Sequence, residues 1–276
     1  MPLREIASET LQILKQGSFR SPGGDTISII EEQNYAEENT ILYTPESAKA
    51  LLAKKVIEKS FSTTVTVTRE TSQQAASRLV QKEGIANPVV LNFASAKNPG
   101  GGFQNGAKAQ EEDLARSSGL YPCLLKQPGY YQNNRKSGTF FYTDHIIYSP
   151  KVPWFRSDKG ELLQNPYLAS VITAPAPNAG QIRLKKQGMG TEIQEVLWQR
   201  AALVLAIARE QGHKTLILGA WGCGVFRNEP TMVAEGFAHH LQDSQFQGCF
   251  ENVCFAIYDT SKNRETLRAF EEVFGK

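Results

Sequence analysis

The chain has 276 residues, of which 41% are hydrophobic and 21% are charged, and these fractions are ordinary for a globular protein with one good-sized core. Its 30 basic and 28 acidic residues leave a net charge of only +2, which excludes a protein that coats polyanions through its overall charge. Any recognition of an anion must therefore be local.

The cysteines and histidines give no sign of a metal site. The four cysteines, at positions 123, 223, 249 and 254, show neither a paired framework nor CxxC spacing, which indicates free thiols in a reducing compartment. The four histidines are not arranged as metal ligands either. We expect no metal and no other cofactor.

The N-terminal sequence gives no sign of export. MPLREIASETLQILKQG lacks the unbroken apolar core of a signal peptide. No stretch of the chain approaches the roughly 18 apolar residues that a membrane span needs. We therefore expect a soluble, cytoplasmic protein that binds no membrane.

In chain order, the first predicted element is a helix over residues 3–16, which has an imperfect apolar face and is expected to stop at Gly17. A polar, turn-rich stretch follows to about residue 40, and Pro45 opens a second short helix that is predicted to run through Lys55. We interpret residues 1–60 as an N-terminal helical extension packed on the core, and residues 61–276 as the main domain.

From residue 61 onward, strand and helix patterns alternate. Residues 62–68 are β-branched and alternating, and Thr71 with Gln74 predicts a capping box for the helix that follows. The other predicted strands cover residues 89–94, 140–142, 146–148, 168–173, 215–218 and 252–258, and the other predicted helices cover 111–118, 190–211, 230–242 and 264–274. Apolar strands separated by helices favour a mixed α/β fold with both faces of the sheet covered.

The most specific feature of the sequence is a run of glycines followed at a fixed distance by acidic residues. The run Asn98–Gly102 contains three glycines and is separated by seven residues from Gln110–Glu112. Glycines after a strand let the backbone approach a ligand closely, because no Cβ stands in the way. Two acidic side chains at the same place indicate acid chemistry or recognition of hydroxyl groups.

A second glycine-rich loop, residues 219–226, lies between a predicted strand and a predicted helix. Such a loop turns several backbone N–H groups toward one anion, and the helix N-terminus adds a favourable dipole. No lysine follows its glycines, and Gly222-x-Gly224 is not completed to GxGxxG, which weakens a nucleoside-triphosphate or ordinary Rossmann interpretation. The alternative is a tight connection without a ligand. Both loops follow strands, where ligands bind in open α/β sheets.

The pattern GGG-x7-QEE resembles the signature of poly(ADP-ribose) glycohydrolases (PARG), and NFASAKNPGGGFQNGAKAQEEDLARSSGLY is similar to the smaller, bacterial-type branch. The resemblance implies a three-layer, macrodomain-like mixed sheet with helices on both faces, here preceded by the N-terminal helical extension. It implies hydrolysis of the ribose–ribose O-glycosidic bonds of poly(ADP-ribose), with ADP-ribosylated proteins as partners and ADP-ribose as product. We further expect a monomer that binds no DNA.

The resemblance also implies roles for the acidic segment. Glu112 would be the general acid that protonates the leaving ribose oxygen and then activates water, which requires a protonated Glu112 near neutral pH. Glu111 would hold ribose hydroxyls, and Gln110 would order the segment or the substrate. Sequence neighbours are poorly placed to flank a bond as two opposed carboxylates do, which favours a mechanism with one acid. The alternative is an acidic first turn that complements the helix dipole.

The remaining roles follow from the same resemblance. Gly100, Gly101 and Gly102 would let the main chain pass close to the ribose, and Asn98 would contact the ribose or form the turn. In the second loop, the residues that would hold the diphosphate are Gly222, Cys223, Gly224 and Val225. Phe226 would pack on the ribose beside the scissile bond, or belong to the core, while Trp221 would be structural.

Glu70 matches the acid that receives the adenine amino group in macrodomains, or is a solvated acid. Tyr258 and Asp259, at the end of the last predicted strand, are expected in the adenine pocket, and residues 129–136 are expected over the site. Lys185 and Lys186 would meet polymer phosphates, or simply be solvated.

Two other functions stay open at this point. One is a macrodomain that binds ADP-ribose without cutting polymer, and the other is a hydrolase of mono-ADP-ribosylated protein. The glutamate pair argues against the first, since binding alone needs no acid. Cleavage from chain ends is expected if the N-terminal extension helps to cap a pocket for the terminal ribose.

Overall fold

The computed structural model describes residues 1–54 and 60–275. Its strands are β1 (Ser18–Arg20), β2 (Thr26–Ser28), β3 (Ile41–Tyr43), β4 (Thr64–Thr68), β5 (Val89–Phe93), β6 (Ile146–Arg156), β7 (Leu162–Ala174), β8 (Thr215–Gly219) and β9 (Asn252–Ala256). Its helices are α1 (Leu3–Gln16), α2 (Ile30–Glu38), α3 (Pro45–Leu52), α4 (Ser72–Ser77), α5 (Gln110–Ser117), α6 (Leu120–Leu125), α7 (Pro128–Lys136), α8 (Ala179–Leu184), α9 (Gly190–Glu210), α10 (Pro230–Gln242) and α11 (Glu265–Phe274).

Within the described ranges, seven strands form one mixed sheet in the order β3-β6-β7-β5-β8-β9-β4. Strands β7, β5, β8, β9 and β4 run parallel to one another, whereas β6 is antiparallel to both of its neighbours. The carboxyl ends of the parallel strands therefore share one edge, and both glycine-rich loops leave the sheet there.

Helices cover both faces of this sheet. Because side chains alternate along a strand, Val89 and Leu91 of β5 join the core under α3, α9, α10 and α11, whereas Val90 joins the core under α4, α6 and α7. The predicted three-layer α/β fold is confirmed. No helix in the described part of the chain has the length and the apolar character needed to cross a bilayer.

Local signals in the sequence account for several boundaries. Thr71 Oγ1 accepts a hydrogen bond from the Gln74 backbone N–H at 3.1 Å, and Gln74 Oε1 accepts one from the Thr71 N–H at 2.9 Å, which confirms the predicted capping box of α4. Helix α1 ends at Gly17, whose φ of 71° lies in the left-handed region that glycine adopts without steric cost. A π-helical turn, Arg78–Lys82, continues α4.

The N-terminal segment is not helical throughout. Strand β3 pairs with β6 at the edge of the main sheet, and α3 packs on α9. Residues 41–52 therefore belong to the same layers as the rest of the sheet. The division at residue 60 stays a prediction, and the predicted end of the second helix at Lys55 lies outside the described residues.

Helix α1 packs against the segment that joins the glycine run to the glutamates. Arg4 Nε donates to the Asn105 carbonyl at 2.8 Å, and Thr10 Oγ1 donates to the Arg116 carbonyl at 2.6 Å. Arg116 in turn donates to the Ala107 carbonyl at 2.7 Å. The N-terminal helix therefore supports the loop that sets the distance between the glycines and the acids.

Three local predictions are wrong. Residues 140–142 form a turn and not a strand, because Tyr142 has a φ of 60°, which is incompatible with extended backbone. The stretch before residue 40 contains the hairpin β1–β2 and helix α2. Residues 129–136 do not place their aromatic side chains over a site: they lie in α7, which begins at Pro128 and buries Tyr130 and Tyr131.

Candidate active site

The sheet opens between β5 and β8. Strand β5 pairs with β7 along its whole length but with β8 only at Val89 and Val90. Beyond that point the Gln110 side chain takes the place of a strand: its Oε1 accepts from the Phe93 N–H at 2.8 Å and its Nε2 donates to the Leu91 carbonyl at 2.8 Å. The two strands therefore separate toward the edge where the glycine loops lie, and the Gln110 side chain satisfies backbone groups of β5 where they separate.

Both glutamates are held by backbone amides of the preceding loop. Glu111 Oε2 accepts from the Ser95 N–H at 2.6 Å, and Glu112 Oε1 accepts from the Gly102 N–H at 2.9 Å. Asn92 Nδ2 lies 3.4 Å from Glu111 Oε1 and also donates to Thr173 Oγ1 at 3.2 Å. These contacts fix the two carboxylates from the side of the sheet.

The two carboxylates converge over Gly101. A Cβ at this position would overlap Glu112 Oε1 and would lie 3.3 Å from Glu111 Oε2. Gly101 also has a φ of 60°, so its conformation and its surroundings both require glycine. Because the two acids meet on one side of the loop, they are not arranged as an opposed pair that flanks a bond.

Burial distinguishes the two acids. Glu111 is 3% exposed, and burial raises its pKa from the ordinary 4.5 to about 8, although the Ser95 N–H and the Asn92 amide oppose this rise. Glu112 is half-buried. The fold therefore keeps Glu111 protonated near neutral pH.

Unpaired polar atoms lie in the core near Glu111. Within the part of the chain that the structure describes, Asn92 Oδ1 and the hydroxyls of Tyr130 and Tyr131 are buried without a hydrogen-bond partner. The charge of an ionised Glu111 contributes to the raised pKa of both tyrosines, after burial, which is the main cause. An ionised Glu111 would therefore make ionisation of these tyrosines still less favourable, whereas the pKa of Glu111 itself is raised chiefly by desolvation.

This burial makes a prediction about stability. The unfolded chain loses the Glu111 proton near pH 4.5, while the folded protein keeps it up to about pH 8. The contribution of Glu111 to stability is therefore complete below pH 4.5 and declines as the pH rises through 8. Between about pH 5 and pH 8, wild type should lose about 3 kcal/mol of unfolding free energy relative to Glu111→Gln, which does not titrate.

Urea unfolding of both proteins at the two pH values measures this difference. The histidines whose pKa burial lowers, His145, His213 and His240, titrate in both proteins and cancel in the comparison. Parallel pH profiles for the two proteins would show that Glu111 ionises as readily as it does in water.

The second glycine loop is packed against the core at its base and is exposed to solvent at its tip. Trp221 is fully buried and its Nε1 donates to the Ala174 carbonyl at 3.1 Å, which supports the predicted structural role. Gly222 has a φ of 74°, and a Cβ there would overlap the Asn228 amide. At the tip, a Cβ at Gly224 would meet nothing within 4 Å, and Val225 is 81% exposed.

The tip of this loop presents unused donors. Within the described ranges, the backbone N–H groups of Gly224, Val225 and Phe226 have no hydrogen-bond acceptor. The sequence predicts that the N-terminus of helix α10 faces the same anion as these amides. In the structure, the Glu229 side chain caps this N-terminus and accepts a hydrogen bond from the Met232 N–H at 2.9 Å. Burial raises the pKa of the Cys223 thiol, so this residue offers its backbone and not a thiolate.

An aromatic pair lies between the two loops. The rings of Tyr142 and Phe226 are 6.0 Å apart, and the Phe226 carbonyl accepts from the Gly180 N–H at 2.9 Å. Arg200, which is buried, holds the turn of Tyr142 by donating to the Phe141 carbonyl at 3.1 Å. Sequence reasoning missed Tyr142, although three consecutive aromatic residues at 140–142 were a usable signal.

Glu70 and Asp259 lie at the ends of β4 and β9. The Glu70 carboxylate is paired with Arg78 at 2.5 Å, so Glu70 is not a free solvated acid. Asp259 Oδ2 accepts from the Thr266 N–H at 3.0 Å and thereby caps α11, so the expectation that Asp259 lines an adenine pocket is not supported. Tyr258 beside it is exposed.

Asn98 forms the turn that leads into the glycines. Its carbonyl accepts from the Gly101 N–H at 3.0 Å, its N–H donates to Ser95 Oγ at 3.1 Å, and the residue is exposed. Among the described residues, no cluster of histidine, cysteine and acidic side chains has the arrangement of a metal site.

Comparison with known proteins identifies this arrangement. Residues 7–157, which include the glycine run and both glutamates, match the family described as "Microbial-type PARG, catalytic domain". The chain belongs to the microbial-type poly(ADP-ribose) glycohydrolase family. The family and the activity predicted from the sequence are thus confirmed, whereas a search of curated proteins gave no match.

Solved structures of this glycohydrolase family extend the similarity to the whole chain. The poly(ADP-ribose) glycohydrolase of Thermomonospora curvata bound to the inhibitor ADP-HPD is 45% identical over 98% of each chain, with a TM-score of 0.90. A second structure of that protein has 44% identity over 99% of each chain and a TM-score of 0.94. The Deinococcus radiodurans glycohydrolase in complex with ADP-ribose is 45% identical over 88% of this chain and 96% of its own, with a TM-score of 0.81.

Proposed function

We propose that this chain hydrolyses the ribose–ribose O-glycosidic bond of poly(ADP-ribose) with Glu112 as its general acid. The observation that carries the proposal is the convergence of the Glu111 and Glu112 carboxylates over Gly101, opposite a loop with three free amides. The proposed acid, the proposed hydroxyl-binding group and the free backbone amides of the second loop thus lie at the same opening between β5 and β8. Relatives solved with ADP-HPD and with ADP-ribose support the choice of ligand.

The reaction needs one acid that acts twice. Glu112 gives its proton to the leaving ribose oxygen as the C1–O bond breaks, and the resulting carboxylate takes a proton from the water that attacks the oxocarbenium-like carbon. The hydrogen bond that the Gly102 N–H donates to Glu112 stabilises this carboxylate. Glu112 thereby ends each cycle in its starting state.

Glu111 supports this step from the buried side. With its pKa at about 8, it is neutral at pH 7 and adds no repulsion when Glu112 becomes a carboxylate. We assign it the ribose hydroxyls, which a neutral carboxyl group binds as donor and acceptor. Gly100, Gly101 and Gly102 let the backbone pass close to the same ribose, and Asn98 shapes the turn beside it.

The second loop takes the diphosphate in this proposal. The free amides of Gly224, Val225 and Phe226 are donors for phosphate oxygens, and Gly222 and Cys223 shape the backbone that presents them. The Phe226 ring packs on the ribose beside the scissile bond. The diphosphate charge then stabilises the oxocarbenium-like state, and Glu70, with Arg78 beside it, faces the adenine.

A variant at the loop tip tests this assignment. Gly224→Val adds a side chain into empty space in the free protein, so its unfolding free energy should change little. Its affinity for ADP-ribose should fall at least about tenfold, since the side chain stands where the diphosphate must approach the amides. Calorimetric titration with ADP-ribose measures this effect. Gly190→Val, at another glycine with open space around its Cβ position and negative φ, is the control, and equal affinity of the two variants would refute the assignment.

The overall function is tested by offering two substrates side by side. Purified poly(ADP-ribose) should yield free ADP-ribose, and mono-ADP-ribosylated protein should not. Release from the second substrate alone would make the protein a mono-ADP-ribosyl hydrolase. Binding of ADP-ribose without any release would make it a non-catalytic macrodomain.

We also propose that the protein is a monomer that cleaves from chain ends. Support comes from α1, which contacts the loop after the glycine run through a hydrogen bond from Arg4 to the Asn105 carbonyl. Cleavage from ends releases ADP-ribose as the free product from the start, while the remaining chain shortens by one unit at a time. Oligomers in the early products, seen by gel electrophoresis, would show internal cutting.

A further inference from the structure

Six exposed cations border the candidate site, although the whole chain has a net charge of only +2. We call them the cationic rim: Lys97, Arg135, Arg183, Lys185, Lys186 and Arg227. They come from four separate segments of the chain, so the fold brings them together and the sequence composition does not show it.

One side of the rim is built on the glycine run. Lys97 directly precedes Asn98, and its Nζ lies over the Phe140 ring at 5.5 Å from the centroid. Arg135 of α7 donates to the Lys97 carbonyl. These two cations therefore stand beside the turn that leads to Gly100–Gly102.

The other side of the rim is built on the second loop. Arg227 follows Phe226 directly, and its carbonyl accepts from Arg183 Nη1 at 3.2 Å. The segment that carries Lys185 and Lys186 is joined to the first side, since Gln187 Oε1 accepts from the Phe140 N–H at 2.9 Å. The rim thus runs from one glycine loop to the other across the Tyr142–Phe226 pair.

Within the described ranges, none of the six rim cations forms an ion pair with a carboxylate. Asp144 is paired with the buried Arg200 at 3.0 Å. Glu192 accepts from the Met189 N–H at 2.7 Å and Glu229 caps α10, so each of these carboxylates is engaged in a local contact.

The backbone of the rim is held in an uncommon conformation. Of the six non-glycine residues with positive φ in the described ranges, two belong to the rim, Lys186 at 53° and Arg227 at 56°, and a third, Tyr142 at 60°, lies between its two sides. Non-glycine residues are uncommon in this region, and such residues cluster at ligand-binding sites. The strain is a second feature that separates the rim from an ordinary solvated surface.

We propose that the cationic rim binds the diphosphate of the next unit of the polymer, on the far side of the scissile bond. This inference rests on the proposed function, which places the scissile ribose between Gly101 and Phe226. The polymer leaves the site past that ribose, and its next unit carries a diphosphate that meets the rim. The rim then makes the protein bind polymer more tightly than free ADP-ribose, through contacts that a single unit does not reach.

Binding in a Glu112→Gln background tests the rim without hydrolysis. The variant Lys97→Gln/Lys185→Gln/Lys186→Gln should raise the Kd for poly(ADP-ribose) about tenfold or more at roughly 50 mM salt. The slope of log Kd against the logarithm of the salt concentration should decrease by about two to three, because three phosphate contacts are removed. The Kd for free ADP-ribose should stay within about twofold. Fluorescence anisotropy with end-labelled polymer measures the first value, and calorimetry measures the second.

Two further proteins complete the design. Arg135→Gln/Arg227→Gln probes the same rim through other residues and should act in the same direction. Lys15→Gln/Lys82→Gln/Lys214→Gln removes as many exposed charges away from the rim, and Lys82 and Lys214 precede β5 and β8 at the opposite edge of the sheet. Equal weakening in this control, or an equal loss for free ADP-ribose, would overturn the proposal.

Single-stranded RNA of matched charge separates polymer recognition from general polyanion binding. Tighter binding of RNA than of poly(ADP-ribose) would also overturn the proposal. Because these assays measure binding by a variant without the acid, a wild type that releases no ADP-ribose would refute the proposed function and leave this result unchanged.

Discussion

Replacing Glu112 with glutamine is expected to lower the rate of ADP-ribose release from poly(ADP-ribose) by about 10²–10⁴-fold, the contribution of a positioned general acid. A glutamine has no proton to give to the leaving oxygen and cannot deprotonate the attacking water. Its side-chain oxygen still accepts from the Gly102 N–H, so the loop and the affinity for ADP-ribose should be retained. Single-turnover release with saturating enzyme measures the loss directly.

The informative comparison for this result is Glu111→Gln. If Glu111 acts as a neutral carboxyl group that binds hydroxyls, glutamine replaces much of its function, and the loss should be smaller than that of Glu112→Gln. A larger loss at Glu111 would exchange the roles of the two residues. Calorimetric titration with ADP-ribose would then show whether binding or chemistry had changed.

The parts of this site that sequence reasoning predicted depend on local chemistry. A glycine run after a strand and two acids at the start of a helix need only a short loop between them to meet, and residues 103–109 provide it. The capping box of Thr71 and Gln74 is local in the same sense. Parallel strands with glycine-rich ends also place both loops on one edge without knowledge of the strand order.

The parts that it missed depend on contacts between distant segments. Glu111 and Glu112 are chemically identical in the sequence, and only the packing of α5 against Asn92 and Ser95 decides which of them is buried. Asp259 looked available at the end of a strand, but the first amides of α11 fold back onto it. The turn at Tyr142 is held by Arg200 of α9, which donates to the Phe141 carbonyl from 59 residues further along the chain.

A methyl group at Gly101 is expected to remove activity by displacing the acid. In Gly101→Ala, the new Cβ overlaps Glu112 Oε1, so the carboxylate must leave its place beside the Gly102 N–H. Misplacement of a catalytic group by about 1 Å costs on the order of 100-fold in rate. The backbone also has a φ of 60°, which adds about 1–2 kcal/mol of strain for a residue with a Cβ.

A substitution at a second glycine with positive φ distinguishes the effect of backbone strain from the effect of displacing Glu112. Gly84 has a φ of 72°, and a Cβ there would meet nothing within 4 Å. Gly84→Ala should therefore lose only the roughly 1–2 kcal/mol of unfolding free energy that comes from backbone strain, which Gly101→Ala loses in addition to the cost of displacing Glu112, and it should keep its kcat/KM for poly(ADP-ribose). Measuring both quantities for both variants assigns the loss of activity at Gly101 to the position of Glu112. Equal kcat/KM values for the two variants would mean that catalysis does not depend on the position of Glu112 beside the Gly102 N–H.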